Sequence, residues 1–361
     1  MTGHKYVGMD VHSATSVIEV MNQQGKAVAK AIIQTRAGEI KDYFRGLSGT
    51  VHVTFEEGVH ASWLYDLIKP LVAEVIVCNP RHNRLVQSGN KADRIDAHKL
   101  AELLRLGSLK PVYHKDCGTR KLREAVRSYQ SLTSDSLRTM NRIKAIFRGR
   151  GIDCRGTEVY QPAHRENWIN RLEDTSAVTR LELLYQQLDL ITPLRVQACK
   201  EMVTQARSQP AYKVLRRIKT LGPVRVAQII GVVRSPFRFR TKRQFWAYCG
   251  LAVVTTSSAD YVIRDGKVCR SSKPAATRGL NENYNRTLKN VFKGAALLGT
   301  ATEPFKQYYE GLRTRGLRPE LARLTLARKV AAITLVTWKK QAVFDPSEVI
   351  KASGPLESDP M

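Results

Sequence analysis

The chain has 361 residues, enough for two or three domains, and its 43% hydrophobic and 25% charged content is ordinary for a globular protein. Its 59 Lys and Arg against 32 Asp and Glu give a net charge of +27, which calls for a polyanionic partner, nucleic acid being the commonest. Residues 1–115 hold 15 basic and 11 acidic side chains and the remainder 44 and 21, so the excess lies in the later part. No long apolar run or lipidation signal argues for a membrane, and Met1–Tyr6 leads into a strand-like segment rather than a signal peptide. The six cysteines (Cys78, Cys117, Cys154, Cys199, Cys249, Cys269) lack any short paired spacing. That argues against a disulfide framework or zinc knuckle and for a reducing, cytoplasmic compartment.

Residues 6–20 read as two strands around a tight turn at His12–Thr15, with Asp10 closing the first. A carboxylate inside a strand pattern is disfavoured by propensity and asks for a reason. Gly25 marks a second turn before a third strand over Ala29–Gln34, and a helix follows near Ala37–Leu47. Val51–Phe55 alternates as a strand that ends at Glu56-Glu57-Gly58. Trp63, Leu64, Leu67 and Ile68 have helical spacing, and Val75–Pro80 suits a buried parallel strand. Gly89–Leu104 opens as a polar loop and continues as a helix, with Ile95, Leu100, Leu103 and Leu104 on its apolar face. Asp93 and Asp96, three apart, leave that helix from one side. Taken singly, Asp93 reads equally well as an N-cap and Asp96 as a first-turn residue favoured by the helix dipole. The succession predicts a mixed α/β sheet over residues 1–115.

Together the acids say more. Asp10 and Glu56 end strands, and Asp93 and Asp96 begin a helix. Carboxylates at the strand ends of an α/β sheet converge on one edge, where such folds place their ligands. Four oxygen-rich groups suit hard cations such as Mg²⁺ or Mn²⁺. Two such ions can activate an attacking oxygen and stabilise a leaving one in phosphodiester cleavage.

From 119 to 206 the pattern turns helical. Leu122, Val126, Tyr129, Leu132, Leu137, Met140, Ile143 and Phe147 form one apolar stripe, and Leu181 to Met202 a second. Two long amphipathic helices suit an antiparallel hairpin or a coiled-coil arm joining two subunits. Arg138, Arg142, Lys144, Arg148 and Arg150 are either phosphate contacts or a solvated face. Residues 149–175, with Gly149, Gly151, Gly156, Pro162 and Trp168, read as an irregular tip.

Residues 214–233 read as helix, Leu221-Gly222 turn, helix, a helix–hairpin–helix-like element whose turn amides and Arg225 suit DNA phosphate. Phe237–Leu251 interleaves aromatics with Arg238, Arg240, Lys242 and Arg243, as nucleic-acid surfaces do, although Phe245, Trp246 and Tyr248 are better read as core. The hydroxyl run Thr255–Ser258 precedes a hairpin turning at Asp265-Gly266. Arg270 to Arg278, with Lys273, reads as a basic loop. Helices are predicted over Asn281–Leu298, Glu303–Arg315 and Pro319–Lys340, and the last fifteen or so residues read as loose.

This order of motifs resembles the insertion-sequence one-ten family of transposases, which includes the Piv-type DNA invertases. The resemblance covers residues 5–115 and 212–340. It implies a RuvC-like (RNase H-like) domain over 1–115, a helical coiled-coil arm over 116–211, a mainly helical transposase domain over 212–345, and a loose tail over 346–361. The family's metal-binding acids run Asp, Glu, Asp, Asp. Asp10 matches the first, Glu56 (or its neighbour Glu57) the second, and Asp93 and Asp96 the last two, within Lys-Ala-Asp-Arg-Ile-Asp-Ala. In the family a serine following Gly-Leu-x-Pro becomes covalently linked to DNA. Here Gly250-Leu251 is followed by Val253 at the Pro position and Ala259 at the Gly position, which makes Ser258 the nucleophile, with Ser257 as the alternative. The resemblance further implies Mg²⁺ or Mn²⁺, donor and target DNA, a structured guide RNA, and a homo-oligomer, dimer or tetramer. Two other readings stand beside it: a Holliday-junction-type endonuclease with water as nucleophile, and a non-enzymatic nucleic-acid-binding protein whose acids are caps and turns.

Overall fold

The computed structural model describes residues 3–79, 93–114, 118–256, 261–264, 267–270 and 276–350; at a few of these positions, Asp93, Arg270 and Arg278 among them, only the backbone is described. The chain separates into two compact units, residues 1–115 and 116–361.

In the first unit, β1 (His4–Val11), β2 (Thr15–Met21) and β3 (Ala27–Gln34) form an antiparallel meander, as the two tight turns between these runs predict. After α1 (Ala37–Arg45), β4 (Thr50–Glu56) returns parallel to β1. After α2 (Ala61–Ile68), β5 (Glu74–Cys78) lies parallel to β4. The sheet order is β3-β2-β1-β4-β5. The strand residues divide between two faces with the period of two that a pleated strand imposes. Val7 and Met9, Ile18 and Val20, Val53 and Phe55, and Val75 and Val77 pack with Ile40 and Phe44 of α1 and Leu64 and Ile68 of α2. Each of the larger of these side chains stabilises the sheet by about 1.5–3 kcal/mol through burial.

The other face receives α3 (Asp93–Arg105), which packs on β1, β2 and β4. Its contact with the sheet is so close that a methyl group on Gly8 would stand 2.1 Å from the Ala97 carbonyl oxygen and 2.5 Å from the Ala101 amide nitrogen. Gly8 is therefore a requirement of backbone approach rather than a turn.

In the second unit, α4 (Arg120–Arg148) and α6 (Thr175–Arg207) form the expected antiparallel hairpin. Its irregular tip includes the short α5 (Arg165–Ile169) and has its own core, in which Ile143 and Phe147 meet Trp168, Leu181 and Tyr185. At its base, Leu122, Val126, Met202 and Ala206 join the main core. That core is built from α7 (Pro210–Leu215), α8 (Pro223–Val233), α9 (Lys242–Tyr248), α10 (Arg286–Gly299), α11 (Phe305–Thr314) and α12 (Pro319–Lys340).

Three expectations need correction. The helix before Leu221 ends at Leu215, and residues 216–221 continue in tight turns, Arg217 and Ile218 donating to Val214 and Leu215, because Ile218 and Leu221 are both drawn into the core. The segment read as a basic loop contains β9 (Ala276–Leu280), antiparallel to β6 (Val253–Thr256); its Ala-Thr-Arg-Gly-Leu has no apolar alternation, and the pairing alone defines it. Within the supposedly loose tail, Ser347–Ile350 is a short helix, α13, and residues 351–361 lie outside the described ones. The expected hairpin is present as β7 (Tyr261–Arg264) paired with β8 (Lys267–Arg270).

Candidate active site

Asp10 and Glu56 occupy equivalent places. The parallel register of β1 and β4 runs to Met9↔Phe55, and the two acids are the next residue on each strand. Because Met9 and Phe55 face α1 and α2, alternation turns Asp10 and Glu56 to the face covered by α3.

The direction of α3 completes the arrangement. Its last residue, Arg105, donates to the Gln23 carbonyl beside Gly25, in the turn that follows β2. That turn lies at the edge where β1 begins, since Tyr6 pairs with Met21. The first turn of α3, with Asp93 and Asp96, therefore points to the opposite edge, where β1 and β4 end. Asp96 immediately precedes Ala97, the residue that touches Gly8.

The environments of the acids differ. The Asp10 carboxylate is 24% exposed and accepts from His12 Nε2 at 3.2 Å. Asp96 Oδ1 is buried and has no hydrogen-bond partner among the described residues, which is costly for a carboxylate oxygen. Glu57 points elsewhere: its carboxylate takes a hydrogen bond from the ring of buried His114, and Tyr65 packs against that ring at 5.4 Å. Among the described residues no three His, Cys, Asp or Glu side chains are close enough together to hold a metal ion, and the Asp93 side chain lies outside them. The donors still fit a hard divalent cation: all are carboxylates, and the orphaned Asp96 oxygen is the kind of group a cation satisfies.

A supporting group of three residues, Glu19, His98 and Lys30, escaped sequence reasoning. Glu19, opposite Gly8 in the β1–β2 register, is 2% exposed, yet its carboxylate meets His98 Nδ1 of α3 at 2.5 Å and Lys30 Nζ of β3 at 3.1 Å. Glu19 thus ties α3 to the sheet two residues after Asp96. The signal was there: Glu19 is the one acid in the apolar run Val17–Met21.

The candidate nucleic-acid residues of the second unit are dispersed. Leu221 is fully buried and its carbonyl accepts from Arg216 at 2.6 Å, so its side chain belongs to the core; Gly222 is the N-cap of α8. Arg225 donates to the Thr220 carbonyl at 3.1 Å, and burial pushes its pKa down. Arg238 donates to the Val233 carbonyl at 3.0 Å and lies 4.9 Å from the Tyr248 ring. Arg240, Lys242 and Arg243 are exposed at the start of α9, where the helix dipole disfavours cations. Phe245 is fully buried, and the partly buried Trp246 donates its indole N–H to the Arg328 carbonyl at 2.9 Å, as core residues do. On the arm, Arg138 pairs with Asp135, Lys144 donates to the Gly156 carbonyl and Arg150 pairs with Asp174. Ser257, Ser258 and Lys273 lie outside the described residues, as do the side chains of Arg270 and Arg278. Among the described residues no helix is long and apolar enough to cross a membrane.

Residues 7–150 match a DEDD-type IS110 transposase model, and residues 212–310 match a model described as transposase, IS116/IS110/IS902 family. The transposase for insertion sequence element IS1533 of Leptospira borgpetersenii is 29% identical over 177 residues, 46% of this chain and 50% of that protein. The chain therefore spans about half the length of this curated relative. Its class is that of the transposases. More narrowly, the chain belongs to the IS110 family of transposases.

Proposed function

We propose that the chain cuts and rejoins DNA phosphodiester bonds as the transposase of an insertion sequence, with a RuvC-like first domain over 1–115, an arm over 116–211, and a serine-bearing domain over 212–345. One observation carries the reading: Asp10 and Glu56 end neighbouring parallel strands, on the face and at the edge toward which α3 directs Asp93 and Asp96. The sheet order with its antiparallel meander and two added parallel strands supports the RuvC-like assignment.

In this reading Asp10, Glu56, Asp93 and Asp96 hold Mg²⁺ or Mn²⁺, which would supply Lewis-acid polarisation of the scissile phosphate. The engagement of Glu57 with His114 favours Glu56 as the second acid. His12 orients the Asp10 carboxylate, and Glu19 holds α3 so that Asp96 stays at the edge. Ser258, or Ser257, attacks the phosphorus, exchanging one ester oxygen for another. The DNA–protein bond thereby conserves the linkage for strand exchange. An unactivated serine is a weak nucleophile, so it must meet the acidic cluster during reaction. The basic second part suits DNA and a structured guide RNA, and the working form is a homo-oligomer. Sequencing RNA that co-purifies with the chain tests the guide.

The test of the metal site is cleavage of element-end DNA by purified protein. Cleavage is expected only with Mg²⁺ or Mn²⁺, and not by Asp10→Asn or Asp96→Asn variants that melt like the wild type. Full cleavage by either variant contradicts the reading.

A further inference from the structure

Two concavities of the second unit, about 570 and 720 Å³, share Tyr129, Pro223 and Val224 as a common wall. The first lies against the later half of α6 and is lined by Arg195, Lys200 and Arg207. The second lies between α4, α8 and α10 and is lined by Gln130, Arg225 and Arg286. Neither has a carboxylate among its described lining residues.

Elsewhere on the hairpin several arginines are neutralised, Arg127 by Glu124 at 2.8 Å, Arg150 by Asp174 at 2.7 Å and Arg165 by Asp189 at 2.6 Å, although Arg142, Arg148 and Arg180 are not, among the described residues. In the concavities Arg195, Lys200, Arg207 and Arg286 make no ion pair or hydrogen bond among the described residues. Two donors, Arg195 Nε and Gln130 Nε2, are buried with no acceptor among those residues. Buried donors ordinarily have partners, so acceptors are missing on both sides of Tyr129. Gly222 offers α8 no capping side chain, and Pro223 contributes no N–H, which leaves first-turn amides on the shared wall.

We propose that the two concavities form one groove for single-stranded nucleic acid, its phosphates on the arginines and lysine of either side and one base stacked on Tyr129. The proposal rests on the reading of the chain as a nucleic-acid enzyme and extends it to residues that composition and motif left unassigned. Recesses of this volume take a nucleotide with its base. A cation-lined groove with an aromatic platform is how single strands are held without sequence reading. DNA and RNA share that chemistry.

The test uses the full chain and two oligonucleotides of one sequence, single-stranded DNA and RNA, each carrying 5-iodouracil. Photocrosslinking is expected to map to Tyr129 with at least one of them, and the better ligand identifies the natural strand. Arg195→Gln, Arg207→Gln and Arg286→Gln, all melting like the wild type, should each lower the slope of log affinity against log salt by about 0.7. Tyr129→Leu should weaken binding about tenfold and Tyr129→Phe little, since the ring is what stacks. Wild-type affinity in the triple arginine variant, or crosslinks confined to other segments, overturns the groove. If that happens while metal-dependent DNA cleavage persists, the groove fails and the enzymatic reading stands. If the wild type binds neither strand, the groove fails, and duplex cleavage separately decides the enzymatic reading.

Discussion

Gly8 tolerates no side chain, because the backbone of α3 occupies the space where a Cβ would stand. Gly8→Ala must push α3 off β1, and overpacking of this kind costs about 1–3 kcal/mol or more. We expect a lower midpoint in urea and loss of cleavage together, since the shift also moves Asp96. Glu19 is a gentler probe. Its carboxylate is buried, but Lys30 and His98 are 62% and 51% exposed and can return to water when it is removed. Glu19→Ala should therefore cost about 1.5–3 kcal/mol, the range for hydrogen bonds to a charged group. Glu19→Gln, which keeps an acceptor, should recover part of that in the same urea titration. The acids at the strand ends were legible in the sequence because a carboxylate closing an apolar strand stands out. Glu19 stands out in the same way, as the one acid of its apolar run, but its role was not legible, since an acid in one strand reveals nothing of a helix 79 residues away that covers it.

At the scale of elements, the hairpin of α4 and α6 has two cores, and mutations should separate them. Trp168→Ala empties the tip core at a cost of about 3–5 kcal/mol, and hydrogen exchange should rise at the tip before it rises in α8. The tip also carries a pH signature. The Ser176 hydroxyl, then the Arg150 guanidinium, hold Asp174 down to about 2. A depressed carboxylate contributes stability above its unfolded pKa of about 4 and loses it as pH falls toward 2. The difference in melting temperature between wild type and Asp174→Asn should therefore be full above pH 5 and vanish near pH 2. Many elements were readable from their apolar pattern: β4 by alternation, β5 as a buried apolar run, and α4 and α6 by their apolar stripes. The helix before Leu221 was read too long because its apolar residues continue helical spacing into Ile218 and Leu221, which the core takes up through turns instead. β9 was unreadable because its partner, and not its own residues, makes it a strand.

For the whole molecule, the charge asymmetry between residues 1–115 and the remainder suits the division of labour proposed above, in which acids of one part hold cations and cations of the other hold nucleic acid. Affinity for DNA should fall steeply with salt whatever the divalent ion present, while cleavage should depend on that ion. Family membership and the strand-end acids leave one step that defines the account, the transfer of a DNA end to serine. Its most direct measurement is an incubation of labelled element-end DNA with the chain and Mg²⁺ or Mn²⁺, followed by denaturation and mass mapping of any protein-bound DNA. The expected result is a covalent adduct on Ser258 or Ser257 that requires the ion and is absent from Asp10→Asn. Cleaved DNA with no adduct, persisting when both serines are replaced by Ala, would contradict it and assign the attack to water.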